Sequence, residues 1–320
     1  MTLRLLGLNA GSAGGNTEIV LKEALRAAQA EGAAVELVRL DELRLPSGPD
    51  PKQPDDAWWF WEKLMEADGL VVSSPIFSRT VPARLKLLMD RLLGPNADRA
   101  IVEKLIAMRA AGQEPAVPFR LDERVLRPRV AGFIAVGGAL TPQWKTLCLP
   151  TMHVLTFSMQ TAVVDQFVVS GAGTPKSVVL DDTAIARSAQ LGRNVAVQLG
   201  RAFEDATYVG EPGLCPLCHL DVVELHGRDV TCATCGARGR LADDFSVTWT
   251  ELDCSVISMA EKRDHYDEIL QTAQNHAAVR EQILAKAAGY DSYDPVVRPD
   301  APEAVPETVT AGTPSRVTGA

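Results

Sequence analysis

The stretch LGLNAGSAGGNTEIV, residues 6–20, decides how the chain is read. Leu3 to Leu8 is a short apolar run of the kind that forms a buried strand, and from Thr17 to Glu31 the residues Ile19, Leu25 and Ala28 recur at helical spacing among charged neighbours. Between strand and helix lies a loop from Asn9 to Thr17 that contains Gly11, Gly14 and Gly15. Glycines let successive N–H groups converge on one anion, and the positive end of the helix that follows favours negative charge. Ser12, Asn16 and Thr17 add side-chain donors. A plain helix cap with Asn16 as N-cap needs the same residue types, so the loop alone leaves both readings open. Its ligand class is narrower. The GK[ST] of a nucleoside triphosphate loop is absent, and Val38, Arg39 and Leu40 stand where a dinucleotide fold places an acidic residue. A monophosphate is what remains.

Working outward, β-rich apolar runs alternate with amphipathic stretches over the first two hundred residues, which is the signature of stacked βαβ units. Strands are expected at Leu3 to Leu8, Ala34 to Arg39, Gly69 to Ser73, Val130 to Val136 and Thr161 to Val169. Further helices are expected at Pro82 to Leu93 and Asp181 to Phe203, the last opening on an Asp cap. Five strands with helices on both faces predict an α/β, flavodoxin-like doubly wound parallel sheet of order 2-1-3-4-5. Its ligand would sit outside the carboxyl ends of the strands, at the switch point in strand order.

Two more loops fall at such ends. The run SSPIFSRTVPARLKLLMDR, residues 73–91, turns at Ser73, Ser74 and Pro75 and then offers Ile76 and Phe77 as flat apolar surface. Backbone N–H groups there can line the edge of a planar ring. The run VGGALTPQW, residues 136–144, places Gly137 and Gly138 at another strand end, where a tight turn would explain them equally well.

In this order and spacing the three loops resemble the NADPH-dependent FMN reductase family of flavodoxin-like proteins, over roughly residues 3–170, most specifically from Pro75 to Arg91. The resemblance implies an NAD(P)H-dependent, FMN-containing reductase. By analogy, Ser12, Asn16 and Thr17 would hold the phosphate, Ser74, Pro75, Ile76 and Phe77 the ring and ribityl region, and Gly137 and Gly138 the other side of the ring. Hydride would pass from NAD(P)H to the flavin and on to a quinone, a nitro or azo compound, or free flavin, with no catalytic side chain required. A homodimer or homotetramer is implied as well. Two positions depart from the pattern. Ala13 follows Ser12 with no arginine nearby, and Phe77 replaces a common tyrosine. A simple flavodoxin-type electron carrier is the rival reading, and the extra segments of the chain argue against it.

Cys215-Pro-Leu-Cys218 and Cys232-Ala-Thr-Cys235 form two Cys-x2-Cys knuckles. Each presents two thiolates to one ion, and together they predict a tetrahedral four-sulfur site in a zinc-ribbon-like module. Iron in a rubredoxin-like site is the alternative, since four thiolates suit both metals. Zinc is favoured, because the first knuckle lacks the aromatic residue that usually follows in rubredoxins. Strands are expected at Asp221 to His226 and Asp229 to Thr231 around a turn at Gly227. A regulatory or interaction role for this module, with the flavin domain sensing redox state, is a further alternative.

The 320 residues carry 46% hydrophobic positions and a formal net charge of -9, which argues against broad binding to nucleic acid or to anionic membranes. Asp221, Glu224, Asp229, Asp243 and Asp244 make the cysteine module itself acidic. A small-molecule electron acceptor and a cytoplasmic location follow as expectations, and no apolar run reaches the ~20 residues of a membrane span. The expected organisation is a flavin domain over residues 1–206, the cysteine module over 207–254, a helix over 255–293 and a disordered tail over 294–320. Within that helix Ile269, Ala273, His276, Ile283 and Ala287 form the expected inner stripe. The segment from Gly94 to Pro128 reads as an insertion, helical in part, a lid or a dimer contact. Trp58, Trp59, Phe60 and Trp61 read equally as a core anchor or a partner contact. Cys148, Cys254 and His153 read as packed residues, with a place near the flavin open for Cys148 and a substrate contact for His153.

Overall fold

A computed structural model describes residues 2–47, 53–94, 97–115 and 121–297. The first strand, β1 (Arg4–Asn9), is buried from Leu5 to Asn9, as a central strand covered on both faces must be. It pairs in parallel with β2 (Ala34–Arg39) on one side and β3 (Gly69–Pro75) on the other. β4 (Val130–Val136) and β5 (Ala162–Val169) complete a five-stranded sheet of order 2-1-3-4-5. Alternation along each strand sends side chains to opposite faces. Leu6, Leu8, Leu70, Val72 and Phe133 enter one core, and Leu5, Val71, Ile134 and Val164 enter the other.

Helices α1 (Asn16–Ala30) and α6 (Asp182–Ala196) pack on the second face. Helices α2 (Ala57–Glu66), α3 (Ala83–Leu92) and α5 (Cys148–Phe157) contribute to the first. The α1–α6 approach is close because Gly192 has no side chain: a Cβ there would lie 1.9 Å from the carbonyl oxygen of Ala24. Asp181 caps α6 by accepting from the amide of Ala184 at 2.9 Å, as expected. The helix stops at Ala196 rather than Phe203, since Gly200 turns the chain in the left-handed region at φ 78°.

The described part of the segment from Gly94 to Pro128 contains the α-helix α4 (Arg99–Ala110), whose Asp98 cap accepts from the amides of Ala100 and Ile101, and a short 3-10 turn at Glu123–Leu126. It ends near Arg129, which is fully buried and, among the described residues, forms no direct ion pair, with Asp68 and Asp122 acting on it only at longer range. Its guanidinium donates to the carbonyls of Leu64, Met65, Arg124 and Arg127. Burial lowers its pKa to about 10, still far above neutrality. The tryptophan run divides. Phe60 and Trp61 are core residues, Trp61 donating to Asp122 at 2.8 Å, while Trp58 and Trp59 are exposed.

The cysteine module is a four-stranded antiparallel sheet of β6 (Val223–His226), β7 (Asp229–Cys232), β8 (Arg238–Leu241) and β9 (Val247–Glu251), paired in that order. Its four knuckle cysteines belong to the same apolar core as the first face of the large sheet. The single helix expected over 255–293 is two, α7 (Met259–Ala278) and α8 (Arg280–Ala287), because Val279 leaves the helical region at φ -119°. The expected stripe is also corrected. Tyr266, with Lys262, is the buried position, packing against Ile101 and Leu105, and Ile269 is half-buried against the same cluster as expected, whereas Ala273, His276, Ile283 and Ala287 are exposed. Residues from Gln271 onward form a unit separate from Met1–Leu270. Most of the predicted tail, 298–320, lies outside the described residues. No helix among the described residues is long and apolar enough to cross a membrane.

Because the Gly192 contact is with backbone, neighbouring side chains cannot give way to relieve it. The Gly192→Ala chain is expected to lose about 3 kcal/mol of stability through overpacking. Urea unfolding of both proteins checks this, and an unchanged midpoint would mean the two helices have room to part.

Candidate functional site

Four loops leave the carboxyl edge of the sheet side by side and are tied together by backbone hydrogen bonds. Ala10 N–H donates to Ser73 O at 2.8 Å, Ile76 N–H to Val136 O at 2.9 Å, Gly137 N–H to Val169 O at 2.9 Å, and Ala172 N–H to Gly137 O at 3.0 Å. The three loops singled out from the sequence therefore share one edge, and the loop after β5 joins them.

The first loop is shaped from below by Asn9. Its side-chain oxygen accepts from Gly11 N–H at 3.2 Å while its amide donates to Gly11 O at 2.9 Å, an Asx turn that lifts the glycines over the strand end. Gly11 is obligatory, since a Cβ there would fall 2.1 Å from Thr17 Oγ1. Gly14 takes φ 67°. The N-cap of α1 is Gly15, not Asn16, and no side chain caps the helix. Its first amides thus point into the loop unclaimed by a cap, which is the donor arrangement a phosphomonoester needs. Ser12 is exposed at the loop and Thr17 is buried beneath it.

Asn16 carries long-range hydrogen bonds of its own. Its amide donates to the carbonyls of Ala172 and Thr174 at 3.0 and 2.8 Å, and its oxygen accepts from Val178 N–H at 3.1 Å. Both amide hydrogens strap the loop after β5 onto the start of α1.

The charge balance under this loop was not legible in advance. Glu18, in the first turn of α1, is fully buried. Arg39, at the end of β2, grips it with Nε at 2.8 Å and Nη2 at 3.0 Å, and Lys22 lies 2.5 Å away. The Arg39 hydrogen bond, opposed by burial and assisted by Lys22, holds the Glu18 carboxyl down to about 2. A buried carboxylate that would repel an anion at the helix start is in this way neutralised twice over.

At the second loop Ser73 and Ser74 are buried, Pro75 and Ile76 half-buried, and Phe77 exposed. The Ser73 hydroxyl has no hydrogen-bond partner among the described residues. Phe77 and Thr80 form a backbone bridge closed by Ser78 and Arg79 at φ 46° and 78°, a tight turn without glycine. It is pinned from outside, by Leu147 N–H to Arg79 O at 3.2 Å and by Arg79 to Thr146 Oγ1 at 2.9 Å. Gly137 packs on Ile76, where a Cβ would meet Cδ1 at 3.0 Å, and Gly138 lies against Gly173, at 2.9 Å by the same measure. Phe77, Leu140 and Trp144 are 61, 77 and 55% exposed, an apolar rim beside these glycines that the sequence reading had not assigned beyond Phe77. Cys148, at the start of α5, interacts with Ser74, and burial pushes its thiol up to about 12.

The four knuckle cysteines are all buried, and their sulfurs lie within 4.8 Å of one another. A tetrahedron with bonds of ~2.3 Å has edges of about 3.8 Å, so a single ion fits this set. Four thiols this close ionise together only around a cation. The site is joined to the large sheet through Gln166 on β5, which donates to Cys218 O at 2.8 Å and accepts from His153 Nε2 at the same distance. Burial lowers the His153 pKa to about 4, so this histidine is a neutral donor within the core rather than a substrate contact.

A doubly wound sheet whose carboxyl edge carries an uncapped helix start and glycine-lined loops defines a flavodoxin-like nucleotide-binding protein. The NADPH-dependent FMN reductase family model matches residues 3–174, and the chain belongs to that family. It is an NAD(P)H-dependent flavin oxidoreductase. It is 38% identical over 302 residues to a flavone synthase of Aspergillus candidus, covering 86% of this chain and 91% of that protein. An iron-sulfur flavoprotein of Methanocaldococcus jannaschii is 36% identical over 86 residues, 24% of this chain and 45% of the other. A solved flavone reductase superposes with a TM-score of 0.80 at 27% identity, covering 93% of this chain and all of that one.

The Glu18 cluster has a pH signature. Its folded pKa, about 2, lies below the ordinary glutamate value of 4.5, so its stabilisation is fully present above pH ~4.5 and lost as pH falls toward ~2. Glu18→Gln should flatten the acid limb of the stability curve in that window. Urea midpoints measured from pH 5 to pH 2 test it, and parallel curves for the two proteins would refute the assignment.

Proposed function

We propose that this protein transfers hydrogen between NAD(P)H and the conjugated C2–C3 bond of a flavone-type substrate, a flat aromatic enone. The observation that carries the proposal is the apolar rim of Phe77, Leu140 and Trp144 beside the glycine-lined edge of the sheet. The names of the two relatives support it, since one is a flavone synthase and the other a flavone reductase. In the reducing direction a flavone, NAD(P)H and a proton give a flavanone and NAD(P)+. FMN held at this edge would supply the two-electron chemistry.

The chain's own residues bind and position. The amides at the start of α1, with Ser12 and Thr17, hold the phosphate; Gly11 permits the approach, and the paired Glu18 keeps the field there from opposing it. Ser74, Pro75, Ile76 and Phe77 take the ring and ribityl region on one side, and Gly137 and Gly138 admit the ring on the other. Phe77, Leu140 and Trp144 give the second molecule an apolar surface and exclude water from it. The Phe77–Thr80 turn, held from outside, keeps that platform in place.

Purified protein is expected to be yellow, to bleach anaerobically with NADPH or NADH, and to be reoxidised by a flavone with formation of the flavanone. Reoxidation by quinones, nitro or azo compounds or free flavin but not by any flavone would overturn the substrate assignment. Gly11→Ala should bind FMN at least tenfold more weakly while remaining folded; equal affinity would remove the loop from the site.

The four cysteines hold one zinc ion per chain in this reading, and its role is structural: their sulfurs converge on a single ion, and the surrounding strands are short and acidic. Elemental analysis should return zinc, whereas a red protein containing iron would replace the structural role with an electron-transfer one. The partner copy expected of a homodimer or homotetramer would find exposed aromatic surface at Trp58 and Trp59.

A further inference from the structure

NADPH and NADH differ only in a phosphate on the adenosine 2′-oxygen, so a residue that tells them apart must recognise that phosphate. The charge pattern of the sheet's carboxyl edge bears on it. The chain as a whole is acidic, with 41 Asp and Glu against 32 Lys and Arg. In the four tied loops, residues 10–15, 76–82, 137–147 and 170–181, that balance reverses. Arg79, Lys145 and Lys176 are the cations there, and the one carboxylate, Asp181, is spent on capping α6. Several arginines elsewhere sit against carboxylates, as Arg4 does with Glu66, Arg44 with Asp56 and Arg187 with Asp165. Among the described residues none of the three edge cations makes such a pair. Arg79 donates to Thr146 Oγ1, and Lys145 to Leu140 O and Ser170 Oγ, all of them neutral acceptors.

Arg79 is singled out by its backbone. It holds the second central position of the Phe77–Thr80 turn at φ 78°, where glycine is the usual residue, and its side chain is exposed rather than packed. An L-residue kept in the left-handed region where glycine would serve marks a side chain that the site uses. Among the described residues Thr146 takes one of its five N–H groups, and that contact sets the guanidinium beside the stretch that carries Trp144, at the apolar rim. Lys145, by contrast, is half-buried and tied down at two points.

We infer that Arg79 holds the 2′-phosphate of NADPH and so sets a preference for NADPH over NADH. This rests on the flavin site proposed above. A dinucleotide whose nicotinamide enters the glycine-lined edge leaves its adenosine end outside the rim, and Arg79 is the exposed cation two residues from Phe77. A guanidinium fork meets two phosphate oxygens at once, and the 2′-hydroxyl of NADH offers it no charge. Lys145 and Lys176 add to the positive field without the fork.

The test uses the full-length, FMN-loaded protein, bleached anaerobically by NADPH or NADH in stopped flow, so that each dinucleotide's Kd is read apart from the rate of flavin reduction. The wild type should bind NADPH about tenfold more tightly than NADH, and adenosine 2′,5′-bisphosphate should compete about tenfold better than 5′-AMP. In Arg79→Met the ratio of the two Kd values should fall towards one, and Arg79→Lys should recover part of it. Added salt should shrink the ratio in the wild type and leave it unmoved in Arg79→Met. A residue that serves only the turn would, when replaced, weaken both dinucleotides alike and keep the ratio, which overturns the assignment. Should Arg79→Met fail to fold, Arg79→Gly, which suits φ 78°, takes its place under the same criterion. Protein that stays colourless with FMN overturns the flavin site and this assignment with it, whereas equal constants in yellow wild-type protein overturn the assignment alone.

Discussion

The active edge of this protein depends on the side chain of Asn16. By bonding three backbone groups between Ala172 and Val178, it joins the loop after the last strand to the start of the first helix at the sheet's working end. Parallel strands bring loops to a common edge but do not hold them there. One amide that is itself half-buried converts separate connections into a rim of fixed spacing, on which the glycine contacts at Gly137, Gly138 and Gly173 rely.

The electrostatics of the same corner follow from economy of charge. An anion site usually draws on a cation, yet the loop from Asn9 to Thr17 contains none. The nearby cations Arg39 and Lys22 are occupied with Glu18, so the pull on a phosphate falls to helix amides and hydroxyls. Such a site recognises the shape and hydrogen-bond demand of a phosphate more than its bare charge. On the far side, the hydrogen-bonded path from Cys218 through Gln166 to His153 makes the cysteine module part of the main core rather than an appendage.

The architecture was legible because its signals are local. Continuous apolar runs, glycine-rich turns after them and the paired Cys-x2-Cys knuckles are each read within a few residues, and they lead directly to the sheet order 2-1-3-4-5 and the convergent sulfurs. What escaped were partnerships across long separations. Nothing near Asn16 in sequence announces its bonds to Ala172 and Thr174, and Arg39 reads only as the absence of an acidic residue until it meets Glu18. Asn9 carried the one missed local signal, an Asx residue two positions before a glycine at a strand end. The stripe on the C-terminal helices failed for a different reason. Its periodicity described a face, but beyond Leu270 that face is exposed, and sparse alanines and one histidine offer little apolar surface to bury.

Arg129 shows how a fold can hold a permanent charge on main-chain oxygens, with the carboxylates of Asp68 and Asp122 acting only from a distance. Surrounded by the carbonyls of Leu64, Met65, Arg124 and Arg127, its guanidinium is solvated by main chain as an ion in a crown ether is solvated by ring oxygens. Because those oxygens belong to the end of α2 and to the stretch that leads into β4, the cage exists only when both arrive in register. A charge with nowhere else to go proofreads the place where the insertion ends and the sheet resumes.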